Sequence, residues 1–443
     1  MKKVFGIAAM LLALAACNKI ETEIQTTDQA EGITITAQLA PKTGGATTRA
    51  VSDGGNKIVS EWAENEHIAV LYEVSSAKYV ADATITAVDG SGTATITFTV
   101  EAGTANDTPC TLVYPYSAAK DDHSGVKDAA TLLAAQDGTL NANLDVRVGA
   151  GTIQTTTPGL TVTTQPEAQF AIWKLTLGNS AKNLCIMADN APIAGATLAS
   201  AGTEFFVAVP AVSSKTVTAV ASDESNNCYY FSKAGVSLNK GKFYQSTPSM
   251  TTLDTSSSAA VYKITGTSSA TIPAGKTAVL SGVNITNGNI TCSGDATIIL
   301  MGDNSISASS NKAAIQLNLT DAYSENYTLT ITGTGSITAQ GGSNAAGIGS
   351  GSVHESGNII ITGGTIIATG GNNGAGIGSG YCADAKNITI TNTVTKVTAT
   401  KGSGADCSIG YGAIGGMFMG CRVTIGGTNY NDGISTSPYT YQP

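Results

Sequence analysis

Ala345-Ala346-Gly347-Ile348-Gly349-Ser350-Gly351 returns as Gly374-Ala375-Gly376-Ile377-Gly378-Ser379-Gly380. Degenerate copies stand on either side, Lys312-Ala313-Ala314-Ile315-Gln316 before and Asp406-Cys407-Ser408-Ile409-Gly410-Tyr411-Gly412 after. The isoleucines 315, 348, 377 and 409 are spaced by 33, 29 and 32 residues. A second signature keeps the same period: Ala296-Thr297-Ile298-Ile299-Leu300, Tyr327 to Ile331, Gly357 to Ile361 and Lys386 to Ile390. A third follows each time as Ser305-Ile306, Ser336-Ile337, Thr365-Ile366 and Lys396-Val397. Three short strands in a period of about 30 residues, with glycine at the corners, describe one coil of a parallel β-helix. A single coil exposes a hydrogen-bonding edge and half a core. Stacking the next coil at ~4.8 Å pairs the backbones and places isoleucine on isoleucine. A meandering antiparallel sandwich is the competing architecture, and it gives no reason for a repeat. Residues 261–443 are therefore predicted to form the helix. Residues 261–290, with Ile272-Pro273-Ala274-Gly275-Lys276-Thr277, form an irregular first coil. The tail from Cys421 is expected to cap the far end, because open strand edges invite aggregation.

Working back toward the N-terminus, Thr-Ser-rich residues 251–260 have the composition of a linker. Before them the chain alternates Ile and Val with Thr, which is strand chemistry. Gly32 to Leu39 follows strict period two, and Ile33, Ile35, Ala37 and Leu39 mark the face turned to a core. Ile68 to Tyr72, Ala83 to Val88, Thr93 to Val100, Thr111 to Tyr116, Phe170 to Leu177, Phe205 to Val209, Thr216 to Ala221 and Tyr229 to Phe231 read as further short strands. Asp128 to Ala135 is the best short helix. Such strands separated by turn signals predict a β-sandwich over residues 32–250. Pro41 to Thr48 reads as loop. It leads to Arg49-Ala50, an exposed Thr-Thr-Arg-Ala step suited to a trypsin-like protease.

The first residues are an export signal. Lys2 and Lys3 precede the apolar run Val4 to Ala16, too short for a bilayer span of ~20 residues. Leu14-Ala15-Ala16-Cys17 has the form of a lipobox and resembles that of bacterial lipoproteins, which implies acylation of Cys17. Residues 1–16 are the signal peptide and 17–31 a polar tether. The chain would be anchored to a membrane by lipid rather than by a spanning helix.

The order of the N-terminal motifs carries a second resemblance. Lipobox, alternating strand and Thr-Arg-Ala loop come first. Trp62 with Ile68-Ala69-Val70, Tyr114-Pro115-Tyr116 and Gln136-Asp137-Gly138-Thr139 follow, then Phe206 to Pro210 and Gly241-Lys242-Phe243-Tyr244. This order resembles the N-terminal domain of the Bacteroidetes fimbrillin family, the lipoprotein-derived pilins, over roughly residues 20 to 250. One departure is visible: Asn65-Glu66 stands where the family usually shows Gly-Asp. The Gly-Ala-Gly-Ile-Gly coils are similar to repeats of Bacteroidetes surface proteins, some of which are described as carbohydrate-binding. The fold expected is all-β, a fimbrillin-like β-sandwich followed by a parallel β-helix.

Composition narrows the function. Of 443 residues 51 are Gly, 12% are charged and the formal charge is −9, which loss of Lys2 and Lys3 with the leader deepens. An acidic chain whose arginines are Arg49, Arg147 and Arg422 has no footprint for nucleic acid. Cys110, Cys185, Cys228, Cys292, Cys382, Cys407 and Cys421 form no C-x-x-C and have no histidine at ligand spacing, so no metal site is expected. They read mostly as buried free thiols. His67, beside a buried strand, reads as structural, while His123 and His354 read as loop residues. Trp62 and Trp173 read as core. Asp303, Asp321, Glu325, Glu355, Asp384 and Asp406 fall at unmatched coil positions and read as solvated turns, not as the paired acids of a glycan hydrolase. Tyr381, Tyr411, Tyr430, Tyr439 and Tyr441 are the candidate exposed aromatics of the coils. No catalytic residue and no cofactor is expected.

The fimbrillin resemblance implies a surface adhesion protein assembled by strand exchange. A protease cuts between Arg49 and Ala50, and the strand bearing Ile33, Ile35, Ala37 and Leu39 is released. A strand from another pilus subunit then fills the groove by β-strand addition. Ser437-Pro438-Tyr439-Thr440-Tyr441-Gln442-Pro443, flanked by prolines, is a poor strand to give, which favours a tip-like position in the pilus. The expected location is the outer membrane or cell surface, with a host or bacterial surface protein or glycan as ligand. The alternative is a permanently lipid-anchored carbohydrate-binding protein.

Overall fold

The computed structural model describes residues 32–42, 52–53, 58–59, 61–134, 136–317, 326–414 and 421–443. The leader, Cys17, the tether, Arg49 and Ala50 lie outside the described residues, as do Asp321 and Glu325. The described chain is all-β, at 55% strand and 3% helix.

The first sheet contains β1 (Ile33–Leu39), β2 (His67–Val74), β3 (Ala77–Val88), β4 (Ala94–Val100), β5 (Thr108–Tyr114), β6 (Arg147–Gln154) and β7 (Gly159–Ala168). Their order is β1-β4-β3-β2-β5-β6-β7, antiparallel throughout. Strand β2 shows why its sequence is a continuous apolar run. Ile68, Val70 and Tyr72 enter a core with Ile35, Leu39, Trp62, Ile96, Phe98 and Leu112. Ala69 and Leu71, on the opposite face, enter another with Val113, Phe170 and Ala208. A strand covered on both sides has no polar face to alternate with.

The second sheet contains β8 (Ala171–Ala188), β9 (Ala191–Val209), β10 (Val212–Ser222), β11 (Cys228–Leu238), β12 (Phe243–Ser246) and β13 (Thr251–Thr252). Its order is β9-β8-β10-β11-β13, and β12 runs parallel beside β8. Trp173, Leu175, Ile186, Phe205, Val207 and Val217 fill its own core. Where the sequence predicts one sandwich over 32–250, the chain forms two sheets with separate cores and a third apolar layer between them. Period two tells which side chains are buried, but not which sheet covers them.

The short helix α1 (Ala129–Ala134) sends Leu133 into that middle layer. Just after it, the Gln136 side chain copies a strand rung. Its Nε2 donates to the Ala208 carbonyl at 2.9 Å, and its Oε1 accepts from the Ala208 N–H at 2.7 Å.

Residues 251–260 are not a free linker. Thr251 and Thr252 pair with Tyr230 and Tyr229, and Leu253 is buried. Leu253 joins Cys185, Met187, Val220 and Cys228 of the second sheet against Val279, Ile299 and Met301 of the coils. Hydrogen bonds edge this joint, Ser281 Oγ to Asn226 Oδ1 at 3.1 Å and Thr332 Oγ1 to the Asn190 carbonyl at 3.3 Å. One apolar residue in a Ser-Thr run decides the matter, and composition averages it away.

From Val261 the chain builds three parallel sheets, and from Lys276 it passes through A, C and B in turn. Sheet A runs from Val261–Ile264 through Lys276–Ser281, Ala296–Met301, Thr328–Gly333, Asn358–Ile361 and Ile388–Ile390 to Arg422–Ile425. Sheet B holds the glycine-isoleucine repeat, and sheet C holds the Ser-Ile and Thr-Ile strands. Register is set by like on like. Ile290, Ile315, Ile348, Ile377 and Ile409 stack in sheet B. Ile298, Ile331, Ile361, Ile390 and Ile425 stack in sheet A. All but Ile425 are fully buried.

One coil departs from the alignment that the sequence suggests. Asn304, not Ile306, lies beside Ile337, and Ile306 lies beside Ala339. The offset is two residues, so the inward face is kept. Asn304 is buried and satisfied: Oδ1 accepts from the Val283 N–H, and Nδ2 donates to the Met301 and Ser336 carbonyls.

The C-terminal residues cover the last coil. Thr428–Asn431 folds back on Arg422–Ile425, Tyr439–Tyr441 pairs antiparallel with Lys396–Thr400, and Ile434 bridges Ile409. Tyr411 is therefore buried, Tyr430, Tyr439 and Tyr441 pack against the coil core, and Tyr381 is half-buried. Tyr411, Tyr430, Tyr439 and Tyr441 thus pack at the covered end of the coils, where the sequence makes them candidates for exposed aromatics.

Gly378 has φ +132°, and a Cβ there would lie 2.0 Å from the Gly410 carbonyl oxygen in the next coil. Gly275 has φ +74° with open space around it. Gly378→Ala is expected to destabilise the chain by about 2–5 kcal/mol through strain and overpacking. Gly275→Ala should cost only about 1–2 kcal/mol, for the left-handed backbone alone. Urea unfolding of the two variants checks the contrast.

Candidate functional site

Strand β1 lies at the end of the first sheet's strand order and pairs along its length with β4, from Ile33 opposite Val100 to Leu39 opposite Ala94. Ile35 and Leu39 are fully buried and Ala37 nearly so, while Thr34, Thr36 and Gln38 are exposed. Ile33, at the strand's start, is half-buried. The face predicted from period two is thus one continuous insertion into the core. Burying each of Ile35 and Leu39 is worth roughly 1.5–3 kcal/mol.

The end of β1 enters a polar chamber under that core. The Ala40 carbonyl accepts from Trp62 Nε1 at 2.9 Å. After Pro41, the Lys42 side chain turns inward and is only 2% exposed. Its Nζ lies 3.4 Å from Asp145 Oδ2 and 3.9 Å from Glu66 Oε2. The same Nζ sits 3.9 Å from the Tyr114 ring centroid and 4.4 Å from that of Trp62, two rings packed edge to face. Ammonium, aromatic faces and carboxylates together make a cation box.

The walls of the box are themselves held. Tyr114 Oη donates to Glu66 Oε1 at 2.7 Å, and Glu66 Oε2 accepts from the Ala63 N–H at 3.0 Å. Arg147, buried, directs Nε to both Asp145 oxygens at 2.9 Å. Burial pushes the Lys42 ammonium below the ordinary lysine range, and the Asp145 and Glu66 charges oppose that shift. Burial pushes the Tyr114 phenol upward, reinforced by Glu66, so it stays a donor.

The Asn65-Glu66 step becomes intelligible here. Asn65 takes φ +67°, which asparagine tolerates almost as glycine does. Glu66 is the carboxylate that reaches both Tyr114 and Lys42. Three stretches singled out in the sequence, around Trp62, Asn65-Glu66 and Tyr114, thus converge. Lys42 was not legible there, since a lysine inside a Pro-Thr-Gly loop gives no sign of burial. Asp145 gave none either.

Other candidate chemistry is spread out. His67 is exposed and hydrogen-bonds Asp82 at 2.7 Å, so its predicted structural role is corrected to a surface pair. Trp62 and Trp173 are core residues, the latter donating to Ser246 Oγ at 2.8 Å. Asp384 is buried, not a solvated turn, and its N–H donates to Glu355 Oε2 at 2.6 Å. Burial raises the Glu355 carboxyl, and the Asp384 charge adds to that. Among the described residues no group of three His, Cys, Asp or Glu side chains could hold a metal ion. No described helix is long and apolar enough to cross a membrane.

No protein-family profile matches the sequence, and no curated protein matches it. Several solved structures do. A fimbrial protein from Bacteroides ovatus ATCC 8483 is 12% identical, with 49% of this chain and 48% of that one covered and a TM-score of 0.27. A fimbrial assembly protein from Parabacteroides distasonis ATCC 8503 is 11% identical over 49% of this chain and 90% of the other, TM-score 0.27. The tip fimbrial protein Mfa3 from Porphyromonas gingivalis, with C-terminal truncation, is 12% identical over 48% and 94%, TM-score 0.23. At such scores these likenesses add nothing to the geometry above.

Two measurements test the site. Lys42→Met leaves buried carboxylates without their ammonium and should destabilise the chain by about 3–5 kcal/mol, with Lys42→Arg losing much less. The urea midpoint followed by tryptophan emission reads this. The thiols give a second test. Cys382 is exposed, while Cys110, Cys185, Cys228, Cys292, Cys407 and Cys421 are buried. Burial raises Cys110, Cys185, Cys292 and Cys421 to about 12. At pH 8 a disulfide reagent should therefore modify Cys382 in the folded chain and the other six only after unfolding.

Proposed function

We propose that this chain is a cell-surface adhesion protein, a fimbrial subunit joined to its neighbour by strand exchange. In this reading it is exported as a lipoprotein acylated on Cys17 and held at the outer membrane. Its architecture is a fimbrillin-like β-sandwich region bearing a parallel β-helix as the outward, ligand-presenting body. Cleavage between Arg49 and Ala50 severs β1 from the rest, and a strand of another subunit takes its place against β4. The observation that carries the reading is β1 itself. It is an end strand with inward-facing Ile35, Ala37 and Leu39, and it lies just upstream of an arginine step. A core strand that can be cut away leaves apolar surface and backbone groups that only another strand satisfies.

The tip-like position rests on the other end. Tyr439–Tyr441 is already paired to Lys396–Thr400 of its own chain. Giving that segment to a neighbour would uncover the last coil, so in this reading it stays with its own chain.

N-terminal sequencing with intact mass, on protein recovered from cell surfaces, tests the reading. A chain beginning at Ala50 without lipid is the expected result. A chain beginning at acylated Cys17 in every surface fraction would overturn strand exchange and favour the permanently anchored carbohydrate-binding protein.

A further inference from the structure

Lys42 lies on the segment that scission at Arg49 would remove, while every wall of its box lies downstream and stays. Release of β1 therefore does more than empty an apolar groove. It withdraws the ammonium from between Glu66 and Asp145 and from the faces of Trp62 and Tyr114. With Lys42 present, the box balances Lys42 and Arg147 against Glu66 and Asp145. Without it, Arg147 is the one cation of these four groups left facing the buried Asp145 and the partly buried Glu66. Buried charge of one sign is costly unless a counter-charge returns to it. Resting on the strand-exchange reading above, we propose that the emptied groove selects its new strand by a cation: a lysine or arginine three residues beyond the last core-facing apolar side chain, entering the box that Lys42 leaves.

The spacing is set by the chain's own example. Leu39 is the last inward apolar residue, Ala40 gives its carbonyl to Trp62, and Lys42 is the third residue after Leu39. Trp62 reads the incoming backbone and accepts any sequence there. The box reads the side chain. Upstream, the buried positions Ile35, Ala37 and Leu39 ask for large, small and large. The fitting partner is a segment of pattern large-x-small-x-large-x-x-cation. Residues 423–443 of this chain contain no lysine or arginine, so the capping tail of a second copy does not meet the rule.

The test uses the mature chain cut by an arginine-specific protease, with cleavage at Arg49 verified by mass. Arg147 is buried, and the exposed Arg422 is replaced by lysine so that the protease cannot release the capping tail. Fluorescent peptides copying residues 32–45 are added in excess, in urea below the unfolding transition, and label retained on the large fragment is read by gel filtration. The peptides are the native one, Lys42→Arg, Lys42→Met and Ile35→Asp. The native and Lys42→Arg peptides should bind within about threefold of each other, and Lys42→Met at least ~30-fold more weakly. Equal binding of Lys42→Met and native peptide, with Ile35→Asp excluded, would keep the groove and overturn the cation rule. Failure of every peptide to enter would overturn the groove itself, and the cation rule with it.

Discussion

Parallel strands stacked in register require that each residue tolerate its own kind above and below. That constraint governs the C-terminal half. It is met inside by isoleucine on isoleucine and at the corners by Gly349 and Gly378, each at positive φ with the carbonyl of the next strand's glycine where a Cβ would go. Outside it is met by asparagine ladders. Asn311, Asn344 and Asn373 hydrogen-bond in series, as do Asn326, Asn358 and Asn387. An amide can both donate and accept, so identical residues can pair along a stack without charge repulsion. The same constraint makes the ends a problem, because the last coil offers three unpaired edges. Folding Thr428–Asn431, Ile434 and Tyr439–Tyr441 back onto all three sheets answers it.

This is also why the coils were so legible. Repetition of Ile315, Ile348, Ile377 and Ile409 translates directly into contact, and no long-range inference is needed. The β1 face was legible for a similar reason, since alternation is a local property. What could not be read depends on partners remote in sequence. Leu253 looks like one apolar residue in a flexible run until Cys185 and Ile299 are placed around it. Lys42 looks solvated until Asp145 closes over it. Asp384 looks like a turn residue until the neighbouring coil brings Glu355 to its N–H. The tyrosines near the C-terminus look exposed because the fold-back that covers them contains no pattern of its own.

The joint between the halves follows from the same logic. Val279, Ile299 and Met301 face outward from sheet A, so the runs Ala278 to Ser281 and Ile298 to Met301 lose their polar alternation. An apolar outer wall on the early coils needs a cover, and β8, β10 and β11 supply it. The two halves are thus connected by a packed surface rather than by the peptide chain alone.

That arrangement bears on strand exchange. Ile35, Ala37 and Leu39 belong to a core that shares no residue with the joint around Leu253, nor with the inner core of the second sheet. The middle layer is separate again. It uses Ala69, Leu71 and Val113, the side of the first sheet turned away from Ile35 and Leu39. Removing β1 would therefore open one core while the opposite face of β2 and β5 stays pinned to the second sheet, and that sheet stays pinned to the coils. A single sandwich, with one core shared by both sheets, would loosen throughout when it lost a strand. Dividing the apolar interior into separate compartments would confine the disruption from loss of β1 to the one core that β1 lines.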